Sequence, residues 1–110
     1  MNISLENRTV FVTGAAGFIG AFLSEELLRR YKGIHVVGID SMNDYYEVSL
    51  KEYRLEKLEK LAAERAEAGC RLSFIRGNMA EKALVNKIFD EYKPSVVVNL
   101  AAQAGVRYSI

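Results

Sequence analysis

Tryptophan is missing from this chain, and cysteine, proline and histidine occur once each, as Cys70, Pro94 and His35. A lone cysteine forms no internal disulfide, which suits a reducing compartment. One histidine and one cysteine, neither inside a Cys/His cluster, fall short of the several convergent ligands a metal site needs, so no metal is expected. Neither sign of charge is in excess: 15 Lys and Arg stand against 14 Asp and Glu, with no basic run among them. Nucleic-acid binding usually needs a basic domain or stripe, so no nucleic-acid partner is expected. Long apolar runs are also lacking. The charge-free stretch from Val10 to Leu23 is broken by Gly14, Gly17 and Gly20, and it is shorter than the ~20 apolar residues that span a bilayer. Met1 to Arg8 has no basic segment leading into an apolar core, so no signal peptide is read there. The resulting expectation is a cytoplasmic protein with no membrane partner.

What is present is ample apolar material. Half of the 110 residues are hydrophobic and 26% are charged, enough for one core and for one domain or a piece of one. Thr9 to Val12 is β-branched and aromatic, a buried strand. Helical spacing follows at Phe18, Ile19, Phe22, Leu23, Leu27 and Leu28, with Ser24, Glu25, Glu26, Arg29 and Arg30 largely on the other side. Gly33 closes that helix, and His35 to Ile39 is the second strand, ending at Asp40. A long helix is predicted over Val48 to Ala68, ended by Gly69, with Glu47 and Lys51 spaced as a helical ion pair. Arg71 to Ile75 is a third strand. Ala80 to Tyr92 is a third helix, turning Leu84, Val85, Ile88 and Phe89 inward. Ser95 to Leu100 is a fourth strand whose unbroken Val96, Val97 and Val98 read as buried on both faces. The order β-α-β-α-β-α-β calls for a parallel sheet with helices on both faces.

Gly14-Ala15-Ala16-Gly17-Phe18-Ile19-Gly20 lies between the first strand and the first helix. In that context each glycine has a reason: Gly14 for a tight turn, Gly17 for close approach of a pyrophosphate, Gly20 for packing of helix on strand. The unpaired N–H groups that open the helix then face the anion. Asp40 follows Gly20 by 20 residues and ends the next strand. A carboxylate there accepts both hydrogen bonds of an adenosine ribose diol and repels a 2′-phosphate, so NAD is the expected cofactor. The competing reading is a glycine loop that serves packing alone.

The segments T-G-A-A-G-F-I-G at 13–20, V-V-G-I-D at 36–40 and N-L-A-A-Q-A-G-V-R-Y-S at 99–109 resemble the extended short-chain dehydrogenases/reductases. Within that group, N-D-Y-Y at 43–46 and V-S-L-K at 48–51 make the chain similar to the N-terminal part of the UDP-glucuronate 4-epimerases. The resemblance implies a Rossmann-type fold, here with strand order 3-2-1-4, and places cofactor contacts by position. Gly14, Gly17, Phe18, Ile19 and Gly20 match the pyrophosphate turn, Asp40 the ribose acid, and Asn43 the loop beside it. Asn78, where the family usually has aspartate, matches the residue facing the adenine, with Met79 beside it. Leu100, Ala101, Ala102 and Gln103 match the wall near the nicotinamide ribose. Gly105, Val106, Arg107, Tyr108 and Ser109 match a sugar-side loop. Arg107 is placed near the sugar carboxylate or the diphosphate, since a guanidinium grips either anion through two bonds; the alternative is an ordinary surface arginine. Asn99 stands where many relatives have histidine.

The implied parent reaction interconverts UDP-glucuronate and UDP-galacturonate through a 4-keto intermediate, with a UDP-sugar as the partner molecule. The family's catalytic Ser or Thr and Tyr-x-x-x-Lys pair fall beyond Ile110, so no catalytic residue is expected in these 110 residues, nor turnover by them alone. Tyr53 and Lys57 have the right spacing but lie in the second helix; they read as a packing residue and a solvated one. Two alternatives stay open: another member of the extended group, such as a nucleotide-sugar dehydratase or decarboxylase, and a non-catalytic nucleotide-binding module. With order 3-2-1-4 the valine-rich fourth strand is an open edge, so self-association through that edge or partial disorder of the last ten residues is expected, with a homodimer in the parent as the alternative.

Overall fold

The computed structural model describes residues 4–42 and 48–100. Four strands form one parallel sheet in the order β3-β2-β1-β4. They are β1 (Thr9–Thr13), β2 (His35–Asp40), β3 (Arg71–Arg76) and β4 (Val96–Asn99). Three helices connect them: α1 (Phe18–Arg30), α2 (Val48–Glu64) and α3 (Lys82–Tyr92). The single long helix expected over Val48 to Ala68 is α2 followed by a short 3-10 turn at Ala66–Ala68. Gly69, at φ 81°, then turns the chain into β3.

Strand alternation divides the core between two faces. Val10, Val12 and Val36 point to the side of α1 and α2, where they meet Ala21, Leu27, Leu28 and Leu58. Phe11, Val37 and Ile39 point to the other side, where they meet Ile88 of α3. All six of these strand residues are fully buried, and each contributes roughly 1.5–3 kcal/mol of hydrophobic stabilisation. Helices therefore cover both faces, as the alternation of elements requires.

Four expectations about side-chain environment are corrected. The buried face of α1 is Gly20, Ala21, Ser24, Leu27 and Leu28, while Phe18, Ile19 and Phe22 are 69%, 67% and 63% exposed. Close approach of Gly20 to Gly14 sets this rotation, because only small residues fit where α1 meets the turn. Tyr53 on α2 is exposed rather than packed, and α2 buries only Leu55 and Leu58. Phe89 on α3 meets Phe11 edge-on at 5.6 Å but remains partly exposed. In β4, half-buried and exposed residues alternate and Val97 is 48% exposed. The strand pairs only with β1 among the described residues, so the edge position sets its environment despite the unbroken valines.

His35, at the start of β2, has Nε2 2.7 Å from Ser73 Oγ and its ring edge-on to Tyr92 at 5.5 Å. Burial, aided by the Arg71 charge, pushes its pKa below the usual imidazole value of 6.5. The fold thus favours the neutral ring, while the unfolded chain takes up a proton near pH 6.5. This contribution to stability is complete above that value and is lost as pH falls below it toward the folded pKa. The melting temperature is expected to fall between pH 7.5 and 5, and to fall less in His35→Gln. Equal falls in the two proteins would contradict the assignment.

Candidate cofactor site

Parallel strands end together, so their carboxyl-terminal residues form one rim. Thr13 is in register with Ile39 and Asn99, and Asp40 with Arg76. The chain moves from β1 outward to β3 and then crosses back to β4 on the far side of β1, so order reverses between β1 and β4. Ligands of open α/β sheets bind at such a reversal, outside the carboxyl ends of the strands.

The glycine turn lies on this rim. Gly14 (φ 69°) and Ala15 both donate backbone N–H bonds to the Ile39 carbonyl, at 2.9 and 3.2 Å. Gly17 donates to the Gly14 carbonyl at 3.0 Å and caps α1. The three motif glycines are not equivalent. The conformation of Gly14 is left-handed, which favours glycine. A Cβ on Gly20 would overlap the Gly14 carbonyl oxygen and lie 2.8 Å from its carbonyl carbon. Gly17 has an ordinary φ of −71°, and a Cβ there would stand 3.3 Å from the Gly14 carbonyl oxygen, a tight contact that a shift of a few tenths of an ångström relieves. The chain itself gives little reason for glycine at 17, whereas an external group lying against the turn would give one. The first turn of α1 has no side-chain cap and no acidic residue, and the N–H groups of Phe18 and Ile19 have no partner among the described residues. A diphosphate fits that arrangement of open donors and space. The side chains of Phe18 and Ile19 point outward, which agrees with a role for their backbone alone.

Asp40 is tied into the rim more tightly than its position in sequence indicates. Its Oδ2 accepts the Ala16 N–H at 3.1 Å, and its Oδ1 accepts the Met42 N–H and Lys51 Nζ, each at 2.9 Å. Lys51 and Asp40 side chains are 13% and 4% exposed. Arg54, one turn along α2, donates to the Ala16 carbonyl at 3.3 Å and lies over the Phe18 ring at 5.9 Å. Lys51 and Arg54 are rim residues that sequence reasoning did not assign; their i,i+3 spacing, which puts both cations on one face of α2, was the available signal. Gly38 was also passed over: a Cβ there would lie 2.7 Å from Ala15 Cβ, so β2 needs glycine where the turn crosses it.

Asn78 follows β3 and is exposed; its Oδ1 accepts the Ala80 N–H at 2.8 Å, closing a local turn. Its acceptor is therefore partly engaged. Met79 packs against the Phe11 cluster instead. At the end of β4, Asn99 Oδ1 accepts the Thr13 hydroxyl at 2.6 Å, and the same hydroxyl accepts the Leu100 N–H at 2.8 Å. Asparagine thus supplies the acceptor that fixes Leu100 to β1. Asn43, Ala101, Ala102, Gln103, Gly105, Val106, Arg107, Tyr108 and Ser109 lie outside the described residues. Tyr53 and Lys57 are not on the rim: Lys57 sits over the Tyr53 ring at 5.8 Å and 3.9 Å from Glu25 of α1. A groove along α2 and β3, from Ser49 to Arg76, contains none of the glycine-turn residues. Arg76, which lines it, is gripped by Glu52 at 2.7 and 3.1 Å, which holds the Glu52 carboxyl below its usual range. No described helix is long and apolar enough to cross a membrane, and the described residues hold no group of three or more metal-ligating side chains.

Residues 11–110 match the protein-family model described as GDP-mannose 4,6 dehydratase. Staphylococcus aureus Protein CapI is 45% identical over 92% of this chain and 27% of its own length. Arabidopsis thaliana UDP-glucuronate 4-epimerase 3 is 41% identical over 93% of this chain and 21% of its own length. Among solved structures, a UDP-glucuronic acid 4-epimerase mutant from Bacillus cereus, in complex with NAD and a fluorinated UDP-glucuronic acid, superposes with a TM-score of 0.65. It is 36% identical, over 90% of this chain and 28% of that one. The chain thus spans about a quarter of the length of the relatives it matches.

Proposed function

The chain belongs to the GDP-mannose 4,6 dehydratase family, within the extended short-chain dehydrogenase/reductase fold, and on that premise we propose that it is the NAD-binding part of a UDP-glucuronate 4-epimerase. The observation that carries the cofactor half of this reading is Gly17, a glycine whose own conformation and packing scarcely require it, beside the uncapped N–H groups of Phe18 and Ile19. A pyrophosphate against those groups would be held by charge-assisted hydrogen bonds and the positive end of α1. Asp40 would take the adenosine ribose, and Asn78 would lie toward the adenine. Leu100, with Ala101, Ala102 and Gln103 after it, would wall the nicotinamide end. NAD, when bound, supplies a hydride acceptor and donor for the sugar carbon; the protein supplies position and charge.

The substrate half of the reading rests on likeness to Protein CapI and to several Arabidopsis UDP-glucuronate 4-epimerases. It assigns the loop from Gly105 to Ser109 to the sugar side, with Arg107 toward an anionic group. The second reading, a nucleotide-sugar dehydratase, is favoured by the description of the matching family. Both readings use the same rim, and the described residues of that rim hold no tyrosine–lysine pair of the kind that the resemblance implies for either chemistry.

Titration calorimetry on the 110-residue chain tests the cofactor assignment. Saturable NAD binding is expected, with weaker binding of NADP because Asp40 opposes a second anion at the 2′ position. Equal or tighter binding of NADP would contradict the role given to Asp40, and absence of binding by either dinucleotide would contradict the proposal.

A further inference from the structure

The arrangement around Asp40 carries an inference that rests on the NAD reading and goes deeper into it. An ionised carboxylate has about four acceptor positions. Three at Asp40 are taken within the chain, by Ala16 N–H, Met42 N–H and Lys51 Nζ. One position remains, on Oδ2, so this carboxylate cannot accept both hydroxyl protons of a ribose diol as it stands. Lys51 has three N–H donors; one goes to Asp40, and the other two have no partner among the described residues. Both side chains are largely buried at the rim where the second strand ends.

We propose that Lys51 is a cofactor-binding residue: one ribose hydroxyl donates to Asp40 Oδ2, and Lys51 donates to the oxygen of the other. The diol is then read by a paired acceptor and donor in place of a lone acid. The pairing also has a consequence for selectivity. An isolated aspartate repels a 2′-phosphate strongly, but the ammonium at 2.9 Å offsets that charge and could itself contact the phosphate. Rejection of the phosphorylated cofactor is therefore weaker than Asp40 alone would give, and Lys51 sets its size.

The test is titration of the 110-residue chain and its Lys51→Met variant with NAD and with NADP, beside the melting temperature of each free protein. Wild-type binding of NAD is expected. In the variant, NAD affinity falls about tenfold, in line with loss of a charge-assisted hydrogen bond. NADP affinity falls several-fold further, so discrimination against NADP increases. An equal loss for both dinucleotides, with a lowered melting temperature, would mean that Lys51 only balances Asp40 and would overturn the proposal; unchanged affinities would overturn it too. If wild type does not bind NAD, the underlying reading fails and the proposal fails with it. Should Lys51→Met not fold, Lys51→Gln keeps an N–H donor and loses the charge. A raised NAD-to-NADP ratio in that variant supports the proposal, and an unchanged ratio overturns it.

Discussion

Replacing Gly20 with alanine is expected to lower stability by roughly 1–3 kcal/mol, the usual range for an overpacked core, while alanine at Gly17 leaves the melting temperature nearly unchanged. At position 20 two effects oppose each other. Alanine favours a helix interior over glycine by about 1 kcal/mol. Its Cβ, however, would meet the Gly14 carbonyl group and stand 3.0 Å from Ala15 Cα. These are backbone atoms of a turn bonded to β2, so no side chain can swing aside, and the steric term wins. The helix must move outward, carrying the Phe18 and Ile19 N–H groups with it. At position 17 the nearest atom is the same Gly14 carbonyl oxygen, but at 3.3 Å, so the turn need give by only a few tenths of an ångström. The Cβ would still occupy the space assigned to a diphosphate, so Gly17→Ala is expected to lose most NAD affinity while remaining folded. Thermal unfolding and calorimetry on the two variants separate the roles: Gly20 serves the scaffold and Gly17 the ligand. A stable Gly20→Ala protein, or a Gly17→Ala protein that binds NAD as well as wild type, would contradict that division.

Asp40→Ala is expected to be still more damaging, by roughly 3–5 kcal/mol, because it leaves a buried cation without its partner. Two backbone N–H groups, of Ala16 and Met42, lose their acceptor in the same substitution. The carboxylate joins three elements at one point: the glycine turn, the end of β2, and α2 through Lys51. Its removal therefore loosens the rim itself as well as the ribose contact. The double variant with Lys51→Met, which removes the stranded charge, is expected to be more stable than Asp40→Ala alone. Denaturant unfolding measures both. A loss below about 1 kcal/mol for the single variant would place Asp40 outside the structural framework of the rim.

Much of the rim was legible in the sequence because its determinants are local. A β-branched strand, a glycine turn and a helix start are adjacent between Thr9 and Phe18, the alternation of elements with right-handed crossovers leaves few topologies, and the resemblance to a Rossmann-type fold selects the order 3-2-1-4 among them. What was not legible depends on contacts between distant segments. Periodicity identifies apolar positions on α1 without saying which of them meets the sheet; the meeting of Gly20 with Gly14 decides it and turns Phe18 and Phe22 outward. The three valines of β4 carry no mark of an edge in themselves, and exposure of Val97 follows from the position of the strand in the sheet. Lys51 read as the partner of a helical glutamate four residues away, yet it reaches Asp40, 11 residues back, because the end of β2 lies beside α2. Pairing across elements of that kind has no one-dimensional signature.

The central claim is that a dinucleotide lies across the rim with its diphosphate at the start of α1. Amide chemical shifts of the 110-residue chain, followed by NMR during titration with NAD, address it directly. The expected result is saturable shifts concentrated at Gly14 to Gly20 and at Asp40 to Met42, largest at Gly17, Phe18 and Ile19. Shifts absent from those residues, or centred instead on the groove between Ser49 and Arg76, would contradict the account.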